Sequence, residues 1–196
     1  MAEIAANGIP LIEEHEATGP VAEIFEDIKR TMGMPVVPNF FRAMAASPAA
    51  LAIEWAMQRA MIEHATLPKS LSAMILYAIA QRNECEYCSA SHELSCLTLG
   101  IDEATLRTLI EDLPNLNPER IRKTIEFALK VAKSAKALTL ADYDALRDLG
   151  VTDDELVEII VLAAKGSSGD VLADALKVEV DDMVVQALNR QPAAGV

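Results

Sequence analysis

The chain has 196 residues, a formal net charge of −13, 52% hydrophobic residues and only 4% aromatics. Such a length holds one well-buried core or two small fused helical units, and the apolar share excludes a disordered chain. The acidity, with no basic cluster, argues against a nucleic-acid partner and against an anionic membrane surface, while the wealth of Ala, Leu and Met favours helix.

The start, Met1-Ala2-Glu3-Ile4, lacks the basic and apolar stretches of a signal peptide. The longest apolar run, Leu71 to Ala80, is about half the roughly 18–20 residues of a membrane span. A cytoplasmic protein is therefore expected, in which a close cysteine pair reads as redox or metal chemistry and not as a structural disulfide.

Residues 1–19 read as an N-terminal extension to a single all-α domain over 20–190. Gly19-Pro20 opens a helix with Val21, Ile24, Phe25, Ile28 and Met32 on one face, closed by Gly33. After the proline-bearing connector 34–38, Asn39 is placed to cap a short helix to Ala46, and Ser47-Pro48 starts another to His64. Leu67-Pro68 starts the next, to Asn83, and a further helix runs from Cys85 to Leu99, with Gly100 ending it. Asp102 caps a helix to Asp112, Asn117-Pro118 opens a long one to Lys136, and Thr139 caps one to Leu149. Thr152 and Glu155 form a capping box for a helix expected to end near Lys165. Gly166-Ser-Ser-Gly169 reads as an interruption, followed by two short helices and a loose tail from Gln191. No alternating strand pattern stands out. Leu99–Leu106 is echoed by Leu149–Leu156, which divides the domain into a motif-bearing unit, about 67–113, and a second unit, about 117–178. Two ordinary helical corners with the same capping chemistry explain the echo equally well.

Chemistry concentrates in Cys85-Glu86-Tyr87-Cys88-Ser89-Ala90-Ser91-His92. At about 100° per residue, Cys85, Cys88, His92 and Cys96 share one helix face within roughly 80°. The spacing puts the two sulfurs within disulfide reach, a helix start favours thiolate, and an imidazole one turn on can take the thiol proton or stabilise the anion. A chance pair in an Ala-rich helix, or zinc on Cys85, Cys88 and His92, are the alternatives; zinc lacks a second ligand pair, since His15 and His64 have no Cys or His neighbour. Cys96, Trp55, Met57, Met61 and Met74 read as packing residues, and Glu84 and Glu86 as solvated groups of the first helical turn. No phosphate loop or haem attachment sequence is present, and neither a cofactor nor a metal is expected.

The Cys-x-x-Cys-x-x-x-His run resembles that of the alkylhydroperoxidase D-like, carboxymuconolactone decarboxylase-like family, in its peroxidase-related branch. Asn39-Phe40-Phe41-Arg42-Ala43, Ser47-Pro48, Leu67-Pro68, Leu146–Glu155 and Leu172–Leu176 extend the likeness over roughly residues 20–180. The resemblance implies an AhpD-like helical bundle that assembles as a trimer or hexamer and reduces hydroperoxides. It also implies an attacking Cys88, a resolving Cys85, a proton relay through His92 and an external dithiol or thiol as reductant. The motif's position along the helix taken alone favours Cys85 as the more acidic thiol. One departure stands out: redox-active members carry a relay Glu on the preceding helix, where this chain has Ala73. Glu84, Glu54 or Glu63 are candidates to stand in. The gap leaves room for a non-catalytic, redox-sensing protein on the same scaffold, and less so for a lactone-type decarboxylase, in which a cysteine pair has no evident task.

Overall fold

The computed structural model describes residues 3–4 and 7–190 and divides into two compact units, 1–65 with 172–181, and 66–171 with 182–196. Among the described residues there are ten α-helices, and the only strands are β1 (Glu3–Ile4) and β2 (Pro10–Leu11), an antiparallel pair of two residues each. The tail from Gln191 lies outside the described residues. No helix is long and apolar enough to cross a membrane.

The first unit holds α1 (Gly19–Met32), α2 (Asn39–Met44) and α3 (Pro48–His64). α1 ends as its sequence implies, on Gly33 in the left-handed region. Phe25, Ile28, Phe41, Leu51 and Trp55 form the core, and burial of each such side chain contributes about 1.5–3 kcal/mol. Trp55 stacks edge-on against Phe41 with centroids 5.7 Å apart and donates its indole N–H to Asp27 at 2.8 Å. Asn39 is not the cap of α2. It is the first helical residue, and its backbone N–H donates to the buried Asp181 carboxylate at 2.8 Å, which does the capping from a distant segment. Of the three methionines read as core, only Met74 is; Met57 is 38% exposed and Met61 half-buried, because α3 turns only one narrow face inward.

The second unit is built on α4 (Lys69–Arg82), buried over most of its circumference by Leu71, Met74, Ile75, Tyr77, Ala78 and Ile79. Around α4 pack α5 (Glu86–Thr98), α6 (Glu103–Glu111) and α7 (Glu119–Ser134). α8 (Leu140–Arg147) lies on α7, and α10 (Asp182–Arg190) on α5. The echoed corners share one geometry. Gly100 and Gly150 are both left-handed, and Ile101 and Val151 each donate a backbone N–H to the helix they have left, at 3.0 Å.

The Gly166–Gly169 interruption does not occur. α9 runs unbroken over Asp153–Leu176. Glycine costs a helix interior only about 1 kcal/mol, and close packing repays it here: a Cβ on Gly166 would meet Leu76 Cδ2 at 3.0 Å. Ser167, within the helix, turns its hydroxyl back to donate to the Ala163 carbonyl at 3.2 Å. Near its start, α9 is fastened to the approach to α4 by Glu158, whose carboxylate accepts the backbone N–H groups of Thr66 and Leu67 at 2.8 and 2.9 Å.

Candidate functional site

α4 ends and α5 begins at a single junction. Glu84 occupies the left-handed region at φ 58°, where glycine is usual, and closes a Schellman turn: Glu84 N–H bonds to Gln81 O at 3.3 Å and Cys85 N–H to Ala80 O at 3.1 Å. Cys85 therefore serves two helices at once, as the residue that seals α4 and as the N-cap of α5, with extended φ −79° and ψ 109°. It stands just before the helical face predicted for it, not in the first turn. Glu84 is likewise in the turn and exposed, while Glu86 is in the first turn as expected.

Cys85 and Cys88 are free, buried thiols, hydrogen-bonded to each other, with Cys88 the less enclosed at 6% exposure against 0%. A third group joins them. One oxygen of Asp170, on α9, lies with both sulfurs in a set whose members are all within 4.8 Å of one another. Asp170 is 3% exposed, hydrogen-bonds to Cys88, and accepts the Asn83 side-chain amide at 2.7 Å. The Cys88 thiol is driven well above its ordinary range, first by the hydrogen bond to Cys85, then by burial and by the Asp170 charge. At rest Cys88 is thus a protonated thiol beside a carboxylate.

His92 lies one turn beyond Cys88 but is outside that close set. Burial of its ring, with the Lys165 cation as a second cause, pushes it down to about 4, so near pH 7 it is neutral, a weak base that supplies no positive charge. Cys96 is fully buried and raised to about 12 by burial and by Glu93, as expected of an inert packing thiol. His15 and His64 are exposed. Among the candidate stand-ins for the relay carboxylate, Glu84 is exposed, Glu63 pairs with Arg59 at 2.8 Å and Glu54 is buried in α3. The carboxylate beside the thiols is Asp170.

The sequence did carry a trace of Asp170. Along α9, Ile159, Ala163, Gly166 and Asp170 recur at helical spacing and are all buried, so Asp170 is an acid on an apolar stripe. Reading Gly166–Gly169 as a break hid that periodicity. The same three donors, two sulfurs and one oxygen, also suit a thiophilic divalent cation with a fourth position left for water.

The fold is that of AhpD-core proteins, here housing a buried dithiol with an adjoining carboxylate. No protein-family model and no curated relative matches the chain. Solved structures do. An alkylhydroperoxidase AhpD-core, peroxidase-related protein from Ralstonia eutropha superposes with a TM-score of 0.79 at 24% identity, covering 89% of this chain and 92% of that one. A peroxidase-related protein from Silicibacter sp. gives a TM-score of 0.80 at 23% identity over 93% and 94%. The debrominase Bmp8, in complex with 2,3,4-tribromopyrrole, gives 0.76 at 14% identity over 92% and 95%.

Proposed function

We propose that the protein is a dithiol oxidoreductase that reduces hydroperoxides with Cys88 and Cys85, with an external dithiol or thiol restoring the reduced pair. The observation that carries this reading is the adjacency of two buried free thiols with a carboxylate in contact. Cys88 is the attacking sulfur in this reading, since it is the less enclosed of the two and the one hydrogen-bonded to Asp170. Cys85, one helical turn away, is within reach to resolve the sulfenic acid as a disulfide. His92, one turn beyond Cys88 and a weak base, has at most an accessory part in the proton relay. The peroxidase-related names of two proteins of the same fold agree with this chemistry. The test is thiol titration of the reduced protein after one equivalent of tert-butyl hydroperoxide. Two thiols should disappear and reappear with dithiothreitol, with sustained peroxide consumption when the dithiol is in excess. Loss and recovery without sustained consumption would make the site a sensor, and no loss would refute the redox reading.

A second reading has its own observation. The Cys85–Cys88–Asp170 donor set favours a reduced-state site for zinc, and elemental analysis of the purified reduced protein separates the two readings. One equivalent of zinc that protects both thiols from peroxide would support it.

A further inference from the structure

We propose that Asp170 is the acid–base group of the dithiol site, taking the Cys88 proton as the sulfur attacks a hydroperoxide and returning it to the departing oxygen. The inference rests on the dithiol reading above and deepens it. Burying a carboxylate is costly unless its lone pairs are used. Here the Asn83 amide takes one oxygen at 2.7 Å, and the Cys88 thiol is hydrogen-bonded to the same carboxylate. The approach is built into the backbone. Gly166 lets α9 close on Leu76 and Ile79 of α4, and Asp170 follows one turn later on the same buried stripe. Asn83, in the turn leading to Cys85, then ties the carboxylate to the segment that carries the thiols.

The electrostatics sharpen what this carboxylate is for. A negative charge beside a thiol opposes thiolate formation, so as a mere neighbour Asp170 would slow Cys88. Its advantage lies in proton transfer, and is greatest in reactions whose leaving group needs a proton. In the first step the Cys88 sulfur bonds to the distal peroxide oxygen as the O–O bond breaks. Sulfur is oxidised to sulfenic acid, the peroxide is reduced, and the thiol proton reaches the alkoxide through Asp170, giving an alcohol. Cys85 then attacks the sulfenic sulfur. The S–S bond forms, and water leaves with the sulfenic hydroxyl and the Cys85 proton. An external dithiol reduces the disulfide.

The test compares two reactions of the same sulfur in the full chain: oxidation by tert-butyl hydroperoxide, whose alkoxide needs a proton, and alkylation by iodoacetamide, whose iodide does not. Cys88 modification is followed by peptide mass. Asp170→Asn keeps the shape and should slow the peroxide reaction, which loses both a proton acceptor and a proton donor, about 10²–10⁴-fold, and slow alkylation, which loses the acceptor alone, by distinctly less. Asn83→Ala, at an exposed residue, should give a smaller fall with the same selectivity, and serves if Asp170→Asn does not fold. Peroxide oxidation at the wild-type rate, or equal slowing of both reactions, overturns the assignment. A wild-type protein whose thiols survive peroxide refutes the dithiol reading itself, a result distinct from any effect of the Asp170 variant.

Discussion

Cys88 and Cys96 sit about two turns apart on the same helix, both buried and both with thiols raised, yet their surroundings differ. Around Cys96, burial is the first cause and the Glu93 charge the second, and the thiol is left a small hydrophobe. Around Cys88, the first cause is a hydrogen bond to another thiol, and a carboxylate from a distant helix is in contact. Burial by itself silences a cysteine. Burial together with a bonding partner and a carboxylate in reach is a different environment, and on the reading proposed above it is the one an oxidant would find productive. The comparison also shows that a shared helix face, common to the cysteines and His92, says little about which of them lie close together.

The largest effect that can break this comparison is a pair of substitutions. Cys88→Ser should abolish the two-thiol loss on peroxide treatment, while Cys96→Ser should leave its rate within about twofold and cost about 1–3 kcal/mol of stability at a buried position. Peroxide sensitivity that followed Cys96 would reverse the assignment of the two.

Between the two cysteines lies His92, and its test is acid. Its folded-state value of about 4 is below the ordinary 6.5, so as pH falls the unfolded chain binds the proton first. The stability tied to this group is complete above about pH 6.5 and is lost as pH falls towards about 4, a difference of roughly 3 kcal/mol. Urea unfolding of wild type and His92→Gln at pH 7.5 and 4.5 should show a steeper acid loss in the wild type. An NMR titration midpoint near 6.5 would remove the effect.

The closeness of α9 to α4 is tested at Gly166. Valine there overfills the contact with Leu76 and Ile79 and should cost about 1–3 kcal/mol in thermal unfolding. By displacing Asp170 it should also make Cys88 behave more like Cys96 towards peroxide. Unchanged stability would mean that α9 is free to stand off. The smallest effect belongs to the α4–α5 junction: Glu84→Gly relieves a left-handed non-glycine residue and should raise stability by about 0.5 kcal/mol, the strain relieved being partly offset by greater entropy of the unfolded chain. A lower thermal midpoint would show that the Glu84 side chain does more than close the turn.

How much of this was legible varied with the kind of signal. Helix ends marked by Gly33, Gly100 and Gly150, and caps such as Asp102 on Thr105 and Thr152 with Glu155, were readable because they are local chemistry. The ends at Glu84 and Lys177 carried no glycine, yet both are left-handed turns of the same kind. The glycine pair at 166 and 169 misled in the opposite direction, since at Gly166 glycine answers a neighbouring helix and not a turn. Met57 misled for a related reason: helical spacing names a face without saying whether anything covers it.

From the residues alone came the all-helical fold and the Cys85–Cys88 pair, because capping, periodicity and a three-residue spacing are properties of contiguous chain; the AhpD-like character came from the resemblance of the Cys-x-x-Cys-x-x-x-His run to a known family. The tertiary structure decided which groups share the space around those sulfurs. It set His92 aside from the close set, held it neutral by burial, and brought Asp170 in on a helix far along the chain. Proton chemistry depends on contacts of a few ångströms between segments distant in sequence, and helix packing sets those distances.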